Sequence, residues 1–479
     1  MSERYIAAID LGTSKIAVAV AKVEDKDVQV VYYGEEPSEG IRYGYIFNPV
    51  KVLKPFKTAV DKAEKELGIK IKQAVVGLPR YYVHQETAKG EIPRADATSS
   101  ISKDELENLK SMALDNYELD NEESEVRYGA IAQSFNTDEM QQGQEDDIIG
   151  MVSPFLEGNF KVFIGSRKSF NNIDKVFNDT GIAIVDKFFV PDSTARLVLT
   201  SDEMDGGVAL LDMGAGVTSV AIYSKGILRH YAAIPFGGIT ITNDIKEEGC
   251  FSQSLAENIK LAFGNCMPDK LGTESEKVIK IDYFGEVPEK ELPVRYLSEI
   301  IQARQTEIIK AILYEIQSSG YADELRNGIV ITGGASDMTN LPNFIKDMSG
   351  FNVRVGYPLP VFSSNGCVKA KDISATGCMS MIMGALSFKN LNCAEEAPHT
   401  TEGVEIKIVT PVSESLFKED RDAEEPQGKP APEKAADAKP APEKKKSNHR
   451  RHGFWTKVEQ ATDKIGYTVG SLFDGIDTE

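Results

Sequence analysis

Two stretches of the sequence, one near its start and one near its middle, follow a single plan. In AAIDLGTSKIAVAV (residues 7–20) an apolar run delivers Asp10 into the tight turn Leu11-Gly12-Thr13-Ser14 and leaves through Lys15 on a second apolar run. In VALLDMGAGVTSVAIY (residues 208–223) a similar run delivers Asp212 into a turn holding Gly214 and Gly216, with Thr218 and Ser219 behind it. The residues beyond each turn alternate and are β-branched, so both stretches read as β-hairpins. A single hairpin of this kind is commonly no more than a turn. Two of them, each leading its own α/β half, predict a duplicated fold gripping phosphates from both sides. Glycine lets the backbone approach a ligand, turn amides and hydroxyls cradle phosphate oxygens, and an aspartate can orient a hydrated Mg2+. Neither turn is a G-x-x-x-x-G-K-S/T loop, and neither runs from strand into helix, which disfavours Walker and Rossmann sites.

Up to residue 391 strand-like runs such as QAVVGLP and GIVITGG alternate with helical periodicity, as over 297–316, and the class expected is α/β. A compact α+β unit over 86–165 interrupts the first half, leaving 1–85 and 166–205 on either side, and 206–391 forms the second half. GIVITGGASDMTNLPNF ends a buried strand in Gly333, Gly334 and Ala335, which either leave room for a flat ring against the backbone or make a close packing turn. In FSQSLAENIKLAFG, Glu257 and Lys260 fall on one helix face, where a surface ion pair is the default.

The chain has 54 Lys and Arg against 74 Asp and Glu, a net charge of −20 at pH 7, which argues against nucleic acid as a partner. Its five cysteines form no C-x-x-C pair, so neither a disulfide framework nor a zinc site is expected. The start MSERYIAAIDLG lacks a signal-peptide pattern, and a cytoplasmic protein is expected.

In the order hairpin, hairpin, A-E-x-x-K, TGGA, the chain resembles the actin-like ATPase superfamily, and more closely the FtsA family of bacterial cell-division proteins. The resemblance is carried by AAIDLGTSKIAVAVA, AVVGLPRYY, LLDMGAGVTSVAIYSKGILRHYAAIPFGGITITNDI, LAENIKLAFG, GIVITGGASDMTNLPNF and ATGCMSMIMGAL. It implies a two-domain actin-like (ribonuclease H-like duplicated) fold with an inserted α+β subdomain. It also implies ATP in the cleft between the halves. Asp10 and Asp212 would hold Mg2+ through water, while Gly12, Thr13, Ser14, Lys15, Gly214, Gly216 and Thr218 would lie about the phosphates. Glu257 and Lys260 would line the adenosine side with Gly333, Gly334 and Ala335, and for those two the role comes from the resemblance alone. Val217 stands where much of the superfamily has threonine. The connecting segment FFVPDSTARLVLT lacks the Glu or Gln that hydrolytic relatives use to position water, its nearest acidic group being Asp192. Slow hydrolysis at best is therefore expected, with nucleotide acting on conformation and assembly.

Beyond residue 391 apolar density falls, KPAPEK occurs at 429–434 and again at 439–444, and a disordered linker is expected over 392–452, ending in the basic run KKKSNHRRH. The stretch 453–479 then places Phe454, Val458, Ala461, Ile465, Val469, Leu472 and Ile476 within an arc of roughly 80° on a helix, with Trp455 and Phe473 beside it. Such a helix could lie on an anionic membrane surface, dock on the protein's own core or fill a partner's groove. The spacer and the basic run favour the membrane, as does the resemblance, since FtsA proteins end in a linker and a membrane-targeting helix. The family's role further implies FtsZ as a partner, self-assembly into filaments, other division proteins recruited by the insert, and the cytoplasmic face of the inner membrane at the division site. A small-molecule kinase or a pilus-assembly ATPase of the same superfamily is the alternative.

Overall fold

The computed structural model describes residues 4–25, 27–94, 96–281, 290–364 and 366–395. Both expected hairpins form, and each heads a five-stranded sheet. In the first, strand Arg4–Leu11 pairs antiparallel with Lys15–Glu24, Arg4 opposite Val23 and Leu11 opposite Ile16. In the second, Val208–Met213 pairs with Thr218–Ser224, Val208 opposite Tyr223 and Met213 opposite Thr218. A third antiparallel strand follows on the outside, Asp27–Pro37 in one sheet and Ile227–Ile234 in the other. Two parallel strands complete the opposite side: Gln73–Gly77 and Ala183–Phe188 in the first sheet, Ile329–Thr332 and Val353–Val355 in the second. The strand order is thus the same in both halves, and each aspartate sits at the end of a central strand flanked on both sides. Central strands buried on both faces need nearly continuous apolar sequence. Ile6, Ala7, Ala8 and Ile9 meet that need in one sheet, and Val208, Ala209, Leu210 and Leu211 in the other.

Helices cover the sheets, started and stopped by local chemistry. Pro49–Leu67 begins with Asn48 accepting from the Lys51 N–H and Pro49 in the first turn, and it ends at Gly68, whose φ of 69° suits glycine. Two further helices, Val190–Val198 and Thr376–Gly384, join the core that spans both halves, with Thr194 and Ser380 hydroxyls 3.4 Å apart and buried between them. Three cysteines are buried, whereas Cys250 is exposed and Cys367 half-buried, and all five are free thiols.

The stretch between the strands Gln73–Gly77 and Ala183–Phe188 carries a separate three-stranded sheet, His84–Pro93 and Glu125–Asn136 on either side of Phe155–Ser166. Helix Lys103–Asp115, opened by a Ser102/Glu105 capping box, packs on it around Leu106, Leu109, Phe135 and Phe160. This sheet also meets the second half. Gln85 presents its amide nitrogen to His230 Nδ1 at 2.9 Å and accepts from the Tyr231 N–H at 3.0 Å. Gln133 donates to the Leu228 carbonyl at 3.0 Å, and Arg229 returns a bond to the Gln133 carbonyl at 3.1 Å.

One boundary differs from expectation. The linker was expected to begin at residue 392, but Asn392 and Cys393 belong to the first half. The Cys393 N–H donates to the Tyr5 carbonyl and the Lys72 N–H to the Cys393 carbonyl, both at 2.7 Å, and Cys393 is fully buried. After Leu391 only Cys393 and Ala394 are apolar before Glu395, too short a run to give a periodicity to read. The remaining linker and the helix expected over 453–479, with Phe454, Trp455, Val458, Ile465, Val469, Leu472 and Phe473, lie outside the described residues. Among the described residues no helix is long and apolar enough to cross a membrane.

His230 supplies a pH test of the contact between the insert and the second half. Burial, and then the nearby Lys161 ammonium, lower its pKa from 6.5 to about 4. Protonation therefore favours the unfolded or undocked chain, so stability that is complete above pH 6.5 declines as the pH falls toward 4. Amide protection over 227–234, taken relative to the intrinsic exchange rate at each pH, should fall across that window in the native protein and change less in His230→Gln. Equal pH profiles for the two would show that His230 does not govern the contact.

Candidate functional site

The two hairpin turns face each other. Each is closed by a backbone bond, Gly12 N–H to the Lys15 carbonyl at 2.9 Å and Gly214 N–H to the Val217 carbonyl at 2.8 Å. A Cβ added to Gly216 would lie 2.7 Å from Thr13 Oγ1, so the turn of one half rests against that of the other. Thr13 is fixed from behind: its hydroxyl oxygen accepts from the Gly44 N–H at 2.9 Å, and its carbonyl accepts from the Ser38 hydroxyl at 2.7 Å. Ser14 is exposed beside it.

Helix Gly238–Gly249 begins directly on the second turn. The Gly238 N–H donates to the Gly214 carbonyl at 3.1 Å and the Ile239 N–H to the Ala215 carbonyl at 2.8 Å. Gly237 is required there, because a Cβ at that position would meet the Ala215 carbonyl oxygen at 2.7 Å. Lys260, on helix Gln253–Phe263, reaches the same place and donates to the Gly238 carbonyl at 3.0 Å, to Thr242 Oγ1 at 2.8 Å and to Glu257 Oε2 at 2.8 Å. Its side chain is only 8% exposed while that of Glu257 is 38% exposed, so the surface ion pair expected from spacing is buried on the lysine side. Burial lowers the Lys260 pKa while Glu257 raises it. Ala335 stands against Gly238 from the short helix Gly334–Asp337, completing a wall of small residues.

Two of the expected residues face elsewhere. Thr218 is fully buried and donates to the Phe236 carbonyl at 2.9 Å, because strand alternation turns it away from the turn that precedes it. Lys15 pairs with Glu35 on the neighbouring strand, and its ammonium also reaches the Ser374 carbonyl at 3.2 Å. Asp192 accepts from the Tyr223 hydroxyl and pairs with Arg196, both at 3.0 Å.

Sequence reasoning missed Arg80. It follows strand Gln73–Gly77 of the first half, and its guanidinium pairs with Asp212 of the second, with side chains 20% and 7% exposed. A Cβ at Gly377 would lie 2.8 Å from Arg80 Nη2 and 3.4 Å from Asp10 Oδ2, so the arginine stands beside both carboxylates. Burial works against its charge, but Asp212 and then Asp10 outweigh it and raise its pKa. Burial raises the Asp212 pKa, and Arg80 opposes that rise. The only sequence signal was its place at the end of a parallel strand in AVVGLPRYY, where α/β sheets gather functional groups.

The residues present fit a hydrated divalent cation. Two carboxylates from opposite halves converge, and Gly77, Gly333 and Gly377 put no side chain against them: a Cβ at those positions would stand 3.9 Å from Asp10 Oδ1, 2.5 Å from Asp212 Oδ1 and 3.4 Å from Asp10 Oδ2. Oxygen donors of this kind suit Mg2+, which keeps much of its water and takes one or two carboxylates.

Two sheets of one strand order, each ending its central strand in an aspartate and a glycine turn and closing on a common cleft, define an actin-like fold with an inserted subdomain. A chain titled "PilM-PilN type IV pilus biogenesis complex" shares it, with a TM-score of 0.56, 13% identity and coverage of 80% of this chain and 98% of that one. The chain belongs to the FtsA family of cell division proteins. The family model described as "Cell division protein FtsA" matches residues 209–376. The FtsA of Neisseria meningitidis serogroup B is 30% identical over 367 residues, covering 74% of this chain and 84% of that protein. The FtsA of Pseudomonas aeruginosa is 29% identical over 386 residues, covering 80% and 90%.

The adjacent glycines of the third motif differ in what they tolerate. Gly333 has a φ of 87° and lies against Asp212 and the Met213 carbonyl, whereas a Cβ on Gly334 would meet nothing nearer than 3.5 Å. Gly333→Ala should lose about 1–3 kcal/mol in denaturant unfolding, and Gly334→Ala about 0.5 kcal/mol or less. Equal losses would mean that the left-handed turn carries no strain.

Proposed function

We propose that this chain binds ATP with Mg2+ in the cleft, self-assembles, and tethers FtsZ filaments to the cytoplasmic face of the bacterial inner membrane during septum assembly. The observation that carries the nucleotide part is the meeting of two turns from opposite halves, Thr13 against Gly216, with Asp10 and Asp212 beside them. In this reading Asp10 and Asp212 orient the water around Mg2+, which supplies charge neutralisation when bound. With the Gly12 and Gly214 N–H groups spent on closing the turns, the amides of Thr13, Ser14, Ala215 and Gly216 are the ones left to face the phosphates, and the helix starting at Gly238 adds its N-terminal dipole. Glu257, Lys260, Gly333, Gly334 and Ala335 form the adenosine side, where Lys260 fixes the Gly238 backbone. Lys15 would have to exchange Glu35 for a phosphate to take part, and Thr218 supports the strand behind the turn. Asp192 is held by Tyr223 and Arg196 and is poorly free to activate water, which supports slow turnover.

The tether rests on the sequence beyond the described residues, a basic run followed by the amphipathic stretch with Phe454, Trp455, Val458, Ile465, Val469, Leu472 and Phe473. One such helix binds marginally, so assembly that presents many tails together strengthens attachment. FtsZ and the later division proteins follow from family membership, the latter acting through the inserted sheet.

Two measurements test this function. A fluorescent ATP analogue in Mg2+ should bind the native protein and bind Asp10→Ala about tenfold or more weakly, ~1.4 kcal/mol. Unchanged affinity would remove the phosphate role of the cleft. Full-length protein should sediment with anionic liposomes, while the double substitution Phe454→Glu, Trp455→Glu should stay in solution with ATP binding intact. Equal sedimentation of both would remove the tether.

A further inference from the structure

We propose that Arg80 is a built-in counter-cation that competes with a divalent metal ion for the Asp10 and Asp212 carboxylates, so that metal entry requires its guanidinium to leave Asp212. The inference rests on reading the cleft as a metal–nucleotide site, and it concerns what stands there before the ligand does.

The backbone fixes where this side chain can reach. The Leu78 N–H donates to the Phe188 carbonyl at 2.9 Å, Pro79 restricts the next dihedral, and the Arg80 carbonyl accepts the Tyr231 hydroxyl at 2.7 Å. From that anchored base Arg80 Nη1 pairs with Asp212 Oδ2, while Nη2 shares with Asp10 Oδ2 the space in front of Gly377. That is the space a water-held ion between the two carboxylates would use.

Charge favours exchange over coexistence. Two carboxylates facing one guanidinium leave one uncompensated negative charge, and a divalent ion leaves none. Ion and guanidinium together would press two cations onto the same Asp212 oxygens, where partial burial weakens screening. A 20% exposed side chain is also not sealed in, so an outward path exists. The same pair bridges the halves, since Arg80 comes from the first and Asp212 from the second. Among the contacts that join the halves, this is the one at the carboxylates themselves, and the ligand's own cation replaces it.

The test uses full-length protein without nucleotide and Mn2+ as the probe, with free Mn2+ read by electron paramagnetic resonance. Arg80→Gln should bind Mn2+ about tenfold or more tightly than the native protein, and adding Asp212→Asn should cancel the gain. Equal or weaker binding by Arg80→Gln overturns the proposal. Should that variant fail to fold, Arg80→Lys carries the test, because lysine keeps the charge but loses the planar fork. Its Mn2+ affinity should lie above the native value, and an affinity at or below it overturns the proposal. A fluorescent ATP analogue then separates the two readings. Nucleotide binding with unchanged Mn2+ affinity rejects the competition and keeps the cleft. A persistent Mn2+ difference with no nucleotide binding keeps the competition and rejects the nucleotide.

Discussion

Like charges brought together in a partly buried place need positive charge between them, and that requirement organises this molecule. Each sheet delivers one aspartate to the end of its central strand, and the halves close so that both carboxylates share one space. Alone they would repel, and burial of Asp212 would push it toward its protonated form. Arg80 answers both problems from the strand beside Asp10. Helices Val190–Val198 and Thr376–Gly384 keep the halves in register, with Cys378 set against the Ala8 carbonyl of the first central strand. Glycine stands wherever a side chain would cover the carboxylates, at positions 77, 333 and 377.

Duplication makes this arrangement economical in sequence. One strand order, used twice, puts the same kind of turn at the same place in each half, and the halves then differ in what they add. The first adds the three-stranded sheet over the second half's outer strand, where Gln85 and Gln133 meet His230, Tyr231 and Leu228. The second adds the Gly238 helix and Lys260, which stiffen the wall beside the second turn.

What the sequence made legible were features encoded locally. Alternation and turn glycines mark the hairpins around Asp10 and Asp212, and Gly333 shows itself by standing after a buried strand. Features decided by tertiary placement were not legible. Arg80 reads as an ordinary polar residue after a proline until Asp212 arrives from another half. Lys260 has the spacing of a surface pair and is buried only because helix Gly238–Gly249 covers it. Thr218 looked available because it carries a hydroxyl near a turn, yet one step of strand alternation points that hydroxyl at the Phe236 carbonyl. Cys393 lay past the last visible periodicity, where only its backbone bonds and burial reveal that the chain still packs against the first half.

Those last bonds set a load path. Cys393 sits between Tyr5 and Lys72, at the beginnings of strands whose far ends carry Asp10 and lead to Arg80. Its neighbours add further bonds there: the Tyr5 N–H donates to Asn392 Oδ1 at 3.1 Å, and Gln73 Nε2 donates to the Asn392 and Glu395 carbonyls at 2.9 and 3.2 Å. A pull on the chain at Glu395 is thus received at the end of the first sheet opposite Asp10 and its turn.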